Sequence, residues 1–282
     1  MKKIGFIDYF LDGWHANNYP IWIKEAKRDY EVSIAWEEIS KEGLRNGKDW
    51  CKDFNVELAG SIEQLINESD CLIVLAPGNP ETHERLADLA LQSGKPLYID
   101  KTFAPDLAAA ERMFIKADVH GTPLMTSSAL RFVPDLQAAD LKEKADTAFS
   151  LGGGSSFQEY SIHQLEMIVM LMGTEAKRVM QTGTEFSQQL IIDYGNDRRA
   201  SLSLSPNQGF EIHGHYKNKD SLSIADPGDF WPGFITALLD FFDTGISSVP
   251  KEETLEIIKL VEAGICALDT TDEWFELNDF SD

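Results

Sequence analysis

The chain has 282 residues, 43% hydrophobic and 26% charged, an ordinary globular balance with enough length for two cores. Its formal charge of -22 argues against nucleic acid and anionic membranes as partners, and no apolar run reaches the length of a membrane span. Three widely spaced cysteines without metal-ligand spacing, and a start that runs from Met1-Lys2-Lys3 straight into a strand, lead to the expectation of a cytoplasmic protein with reduced thiols.

The first half alternates strand and helix signals, the pattern of a parallel sheet with helices on its faces. Strands are expected at residues 3–8, 30–36, 71–76, 96–100 and 123–127. Helices are expected at 14–28 (with Pro20 near its start), 61–67 (Ser61 as N-cap), 80–93 (ended by Gly94) and 106–118. The apolar run Cys71–Ala76 is that of a strand covered on both faces. The character changes between residues 120 and 132, which sets an expected division into 1–125 and 126–282. Gly152-Gly153-Gly154 reads as a flexible loop before a strong helix at 155–172. Strand-like runs follow at 179–182, 189–194, 200–205, 210–216 and 221–224, joined by turn-like connections, so this second sheet is expected to be mostly antiparallel. Helices at 230–243 and 252–268 close the chain.

Ligands bind at the carboxyl ends of parallel strands, and three turns and one lysine lie there. After the first strand, the G-x-G-x-x-G slots of a dinucleotide turn hold Asp8, Phe10 and Gly13. Asp8 and Asp12 would set negative charge where phosphates lie. One like-charge contact near 6 Å at an effective dielectric of about 20 costs roughly 3 kcal/mol. The second strand ends in Trp36-Glu37-Glu38, where an acid would bond ribose hydroxyls and repel the extra phosphate of NADP; an exposed acidic turn fits the residues equally well. The third turn is Ala76-Pro77-Gly78-Asn79, followed by His83. Lys101 follows a strand end with Asp100 beside it, placed to anchor a substrate or give up a proton. Glu159, His163 and Glu166 share one helical stripe: either a histidine aimed into a cleft by a carboxylate, or a core-edge histidine beside a surface ion pair. His213 and His215 lack a third ligand nearby, so no metal site is expected.

Taken in order, Asp70–Pro77, Glu81-Thr82-His83, Gly94–Lys101, Leu130–Pro134 and Glu159-x-x-x-His163-x-x-Glu166 resemble the Gfo/Idh/MocA oxidoreductases. In place of the family's Glu-Lys-Pro stands Asp100-Lys101-Thr102. Its D-x-G-x-H-x-x-D becomes Glu159 to Glu166 with Ser161 in the glycine slot. The resemblance implies a Rossmann-like domain followed by an α/β domain with an open, mostly antiparallel sheet, often an oligomer surface; the short stretch between Pro134 and the Gly152 run leads to the expectation that this second domain is shortened here. It also implies hydride transfer between NAD(P) and a sugar-like polyol, aldehyde or ketone. Lys101 would hold and protonate the substrate oxygen, and His163 would be the general acid/base, oriented by Glu159. Cofactor contacts would come from Asp8, Phe10, Leu11, Gly13, Trp36, Glu37, Ala76, Pro77, Gly78, Asn79, His83, Asp100 and Lys101, with Glu37 and Glu38 favouring NAD over NADP. The expected partners are a small-molecule substrate and further copies of the chain. The degraded glycine turn motivates a second reading, a non-catalytic or regulatory relative that has lost the cofactor. A third is a lyase or hydrolase that uses Lys101 and His163 without net redox.

Overall fold

The structure is a computed structural model that describes residues 1–277; residues 278–282 of the expected second domain lie outside them. The described residues form two compact units. One comprises Met1–Thr126 with Phe234–Val249, the other Ser127–Gly233 with the chain from Pro250 onward.

In the first unit β1 (Lys2–Asp8), β2 (Tyr30–Glu37), β3 (Glu57–Leu58), β4 (Cys71–Val74), β5 (Leu97–Ile99) and β6 (Leu124–Met125) form one sheet, ordered β3-β2-β1-β4-β5-β6. Every pairing in it is parallel. Its helices are α1 (Trp14–Glu25), α2 (Gly47–Phe54), α3 (Ile62–Glu68), α4 (His83–Leu86), α5 (Asp88–Leu91) and α6 (Leu107–His120). The four residues of β4 are all buried, because helices cover both faces of a parallel sheet. The caps follow local chemistry. Ser61 accepts a hydrogen bond from the Gln64 amide at 3.2 Å, and Asp106 from the Ala109 amide at 2.7 Å. Gly121 ends α6 in the left-handed conformation. Three departures from the sequence reading occur here, the first being the short edge strand β3. The helix expected at 80–93 opens as a 3-10 turn at Pro80–Thr82, tightened by the Thr82 hydroxyl donating to the Asn79 carbonyl at 2.8 Å, and continues as the short α4 and α5. Helix α2 was not expected. Asn46 caps it by accepting from the Asp49 amide at 2.9 Å, and it buries Trp50 completely.

The second unit begins with a 3-10 turn (Ala129–Phe132) and α7 (Pro134–Ala138), followed by β7 (Thr147–Gly153) and α8 (Phe157–Met172). Then come β8 (Arg178–Gly183), β9 (Gln188–Gly195), β10 (Arg198–Ser205), β11 (Glu211–His215) and β12 (Leu222–Ile224). After α9 (Trp231–Thr244), α10 (Lys251–Cys266) and β13 (Phe275–Glu276) complete the described chain. The sheet runs β12-β11-β7-β10-β9-β8-β13. It is antiparallel throughout except that β7 and β10 run parallel, so the mostly antiparallel expectation is met. The glycine run is a correction: Gly152 and Gly153 end a strand. A Cβ would lie 2.6 Å from the Gln164 side chain at Gly152, 2.2 Å from the Gln208 carbonyl at Gly153, and 2.3 Å from the Tyr160 ring at Gly154. Gly152 and Gly154 thus make room for α8, and Gly153 for the Gln208 backbone. Gln164 completes the seam, its amide donating to the Ser150 and Ser203 carbonyls at 3.0 and 3.1 Å. Residues 234–249, most of α9 and its following turn, belong to the first unit, although they lie within the consecutive stretch 126–282.

Candidate functional sites in the two units

In the first unit the strand order reverses between β1 and β4, the switch point at which α/β sheets bind ligands. Asp8, in the slot of the first glycine, is buried there. Its carboxyl accepts from the Tyr9 amide at 2.8 Å and the Ala76 amide at 3.0 Å. Burial outweighs those bonds and pushes this carboxyl well above the usual range, which favours its neutral form. Asp12 is turned the other way. It accepts from the Arg45 guanidinium and amide and from Asn17, and these bonds overcome partial burial to hold it below its usual value. Of the two aspartates that would repel a phosphate, one is therefore shifted by burial toward its protonated form and the other is paired with Arg45.

Leu11 is buried, and its amide donates to Glu37 at 3.0 Å. Glu37 also accepts from the Gly47 amide at 2.6 Å and the Ser40 hydroxyl at 2.8 Å. The acid expected at a ribose thus ties the first turn to α2. Glu38 pairs with Arg85, and Trp36 lies in register with Ile7. Phe10 carries the Lys41 ammonium over its ring at 4.3 Å. Gly13 precedes α1, and a Cβ there, or at Gly78, would meet open space.

At the neighbouring strand ends, Asn79 donates its amide to the Ala76 carbonyl at 2.9 Å, and Ala76 itself adopts a positive φ of 62°. The Lys101 ammonium donates to the Pro77 carbonyl at 3.4 Å, so Lys101 stands beside the Ala76–Asn79 turn. Asp100 is buried and surrounded by donors. His15 Nδ1 contacts one oxygen; the Tyr19 and Tyr98 hydroxyls, at 3.3 Å each, and the Lys101 amide, at 2.9 Å, reach the other. Burial acts to raise this carboxyl, but adjacent His15 and Lys101 outweigh it and hold it below the usual carboxylate value. His15 was missed by the sequence reading. The clue was its place on the first turn of a helix that starts at a strand mouth. His83 is fully buried, with Nδ1 on the Phe103 carbonyl at 3.0 Å and Nε2 on the Ala76 carbonyl at 3.1 Å. Both ring nitrogens face backbone, so His83 braces the turn.

In the second unit His163 projects from α8, and its Nδ1 lies 2.7 Å from the Ser128 hydroxyl. Phe210 meets the ring edge-to-face at 5.5 Å. Glu166, one turn further, points inward and is buried. It accepts from the Ser128 amide at 3.0 Å and from Arg131 Nε at 2.5 Å. Arg131 bridges on to Glu253, and the two carboxylates outweigh burial to raise its pKa further. Glu159 is exposed one turn before His163. The hydroxyl on the ring comes from Ser128, a residue the sequence reading did not name.

The fold and these sites define an α/β protein with a dinucleotide-type parallel sheet and a second unit on a mixed sheet. Residues 13–128 match the model of the Gfo/Idh/MocA family, described as an oxidoreductase family with an NAD-binding Rossmann fold. Over that stretch the chain is similar to this family, in line with the resemblance. The match starts at Gly13 and leaves out the Asp8–Asp12 turn. The chain is 24% identical to myo-inositol dehydrogenase Hyg17 of Streptomyces leeuwenhoekii, over 49% of this chain and 48% of that protein. It is 25% identical to trans-1,2-dihydrobenzene-1,2-diol dehydrogenase of Xenopus tropicalis, over 58% and 59%. The aligned stretch thus spans about half the length of these curated relatives. An oxidoreductase from Agrobacterium radiobacter, solved with NAD+, L-tartaric acid and magnesium, shares the fold at a TM-score of 0.79, with 14% identity and 99% of each chain covered. No helix among the described residues is long and apolar enough to cross a membrane.

Proposed function

We propose that the protein is an NAD(P)-dependent oxidoreductase acting on a sugar-like polyol or the corresponding aldehyde or ketone. One observation carries this reading: the parallel sheet in its 3-2-1-4-5-6 order presents Lys101 just past β5, at the carboxyl ends where such sheets bind their ligands. The residues around the switch point fit a dinucleotide. Asp8 is pushed toward neutrality, Asp12 is matched by Arg45, and open space lies beside Gly13 and Gly78. The start of α1 would face the phosphates, as helix N-termini do, while Ala76–Asn79 and Lys101 would border the nicotinamide. When bound, the nicotinamide supplies or takes up the hydride. Lys101 holds the substrate oxygen through its ammonium and stabilises charge developing there. His163 exchanges the proton of the substrate hydroxyl. The acidic Glu37 favours NAD, since its carboxylate would repel a ribose phosphate. The dehydrogenases of inositol and of a cyclic diol among the relatives support a vicinal polyol as substrate class.

Fluorescence or calorimetric titration of the folded protein with NADH tests this reading. Saturable binding at or below millimolar NADH is expected, and its absence overturns the proposal. The second reading, a relative without cofactor, is favoured by one observation: Leu11 N–H, an amide of the phosphate turn, is already committed to Glu37. Under that reading NADH does not bind, and replacing Asp8 and Phe10 by glycine creates affinity.

A further inference from the structure

Within the second unit, a chain of bonds leads from the buried Glu166 and the partly buried Glu253 to the ring of His163. Glu253 and Glu166 flank Arg131; Glu166 also accepts the Ser128 amide at 3.0 Å; and the Ser128 hydroxyl lies 2.7 Å from His163 Nδ1. Ser128 is itself buried, at the start of the 3-10 turn it caps, where its oxygen also accepts the Leu130 amide at 3.3 Å. Its backbone and side chain are therefore both anchored, one by the carboxylate and one by the turn. A hydroxyl oxygen has two lone pairs and can accept from the Leu130 amide and from an imidazole N–H together. An imidazole that takes a proton at Nε2 carries N–H at both positions, and its Nδ1–H then requires an acceptor. Ser128 Oγ stands at hydrogen-bond distance for that task.

We propose that Ser128 is a positioning residue that accepts a hydrogen bond from His163 Nδ1–H and so holds the ring in the tautomer whose lone pair is at Nε2. Glu166 and Arg131 hold Ser128 in place for this bond. The inference rests on His163 being the acid/base group of the proposed reaction. The ring tautomer, however, is read in the free protein, without cofactor or substrate.

The test is the nitrogen-15 spectrum of the histidine side chains above the titration range of the ring, with His163→Gln identifying the resonance. His163 is expected as the Nδ1–H tautomer in the parent protein. In Ser128→Ala it should shift toward the Nε2–H form that free imidazole prefers, and Ser128→Thr, which keeps the hydroxyl, should restore the parent state. Once a turnover assay is in hand, Ser128→Ala should lower kcat by about tenfold with KM nearly unchanged, a fraction of what a whole general base contributes. An Nε2–H tautomer in the parent protein overturns the proposal even if Ser128→Ala fails to fold. So does a tautomer that Ser128→Ala leaves unchanged. Failure of NADH to bind would remove the oxidoreductase reading while leaving the tautomer result standing.

Discussion

At the scale of single residues, the phosphate turn shows how a side chain's neighbours determine its charge. In isolation Asp8 and Asp12 are two anions in the wrong place. Packed, Asp8 faces two amides in a dry environment and Asp12 faces a guanidinium. Asp8 carries a pH signature whose sign follows from linkage. Its folded pKa lies well above the ordinary 3.8, so the folded form retains a proton the unfolded chain releases. That stability is present in full below 3.8 and is lost as pH rises toward the folded value. Asp8→Asn should therefore gain in melting temperature over the parent as pH goes from acid to mildly alkaline; parallel curves across that range would refute it. Lys101→Ala and His163→Ala should each reduce turnover by about 10²- to 10⁴-fold, the scale of a lost acid–base group, with the melting temperature nearly unchanged. Steady-state kinetics alongside thermal unfolding separates the two effects. The residue types at these positions were legible in the sequence. His15, the partner of Asp100, and Ser128, the partner of His163, were not, because each is 35 or more positions away from the group it contacts.

At the scale of elements, spacing identified the long and strongly patterned segments and missed those whose stability is tertiary. Helix α8 was expected because sixteen residues keep an apolar face. Helix α2 was missed although Asn46 and Asp49 mark its start, since at eight residues its single buried indole matters more than its periodicity. Trp50 donates from Nε1 to Asn17 at 2.9 Å and stacks on Phe54, so α2 depends on the tertiary core. Asn46→Ala should lower stability by about 1 kcal/mol in denaturant titrations, as lost caps do. Glu166→Ala should cost more, about 3–5 kcal/mol, because it leaves the buried Arg131 with one carboxylate and removes the acceptor of the Ser128 amide. A loss under 1 kcal/mol would show that the Arg131 cluster contributes nothing to holding the second unit. The end of β7, Gly152-Gly153, was expected as a flexible loop for a related reason: glycines that make room for neighbouring groups look the same in sequence as glycines that confer flexibility.

At the scale of the molecule, the first unit recruits residues 234–249 from far along the chain. Asp243 accepts from Lys2 and Tyr30 at 2.7 Å each and pairs with Arg28, and Phe242 packs against Tyr30. The Lys2 and Tyr30 bonds, with Arg28, hold the Asp243 carboxyl down to about 2. A depressed folded pKa contributes stability above the ordinary 3.8 that is lost as pH falls through about 2. Asp243→Asn should melt below the parent near neutrality, by a small margin because these groups are partly exposed, and the gap should close as pH drops through that window. A gap of constant size would mean the effect is not ionic. The sequence by itself determined the alternation of strand and helix, the parallel first sheet and the mostly antiparallel second one. It also marked the lysine at a strand mouth and the histidine on a helix, because period, cap and turn chemistry act over a few neighbouring residues. Only the tertiary structure decided that Asp8 tends to neutrality, that Glu37 binds its own chain, that Ser128 meets His163 and that α9 returns to the first unit, because burial and hydrogen-bond partners are supplied by residues that local pattern cannot bring together.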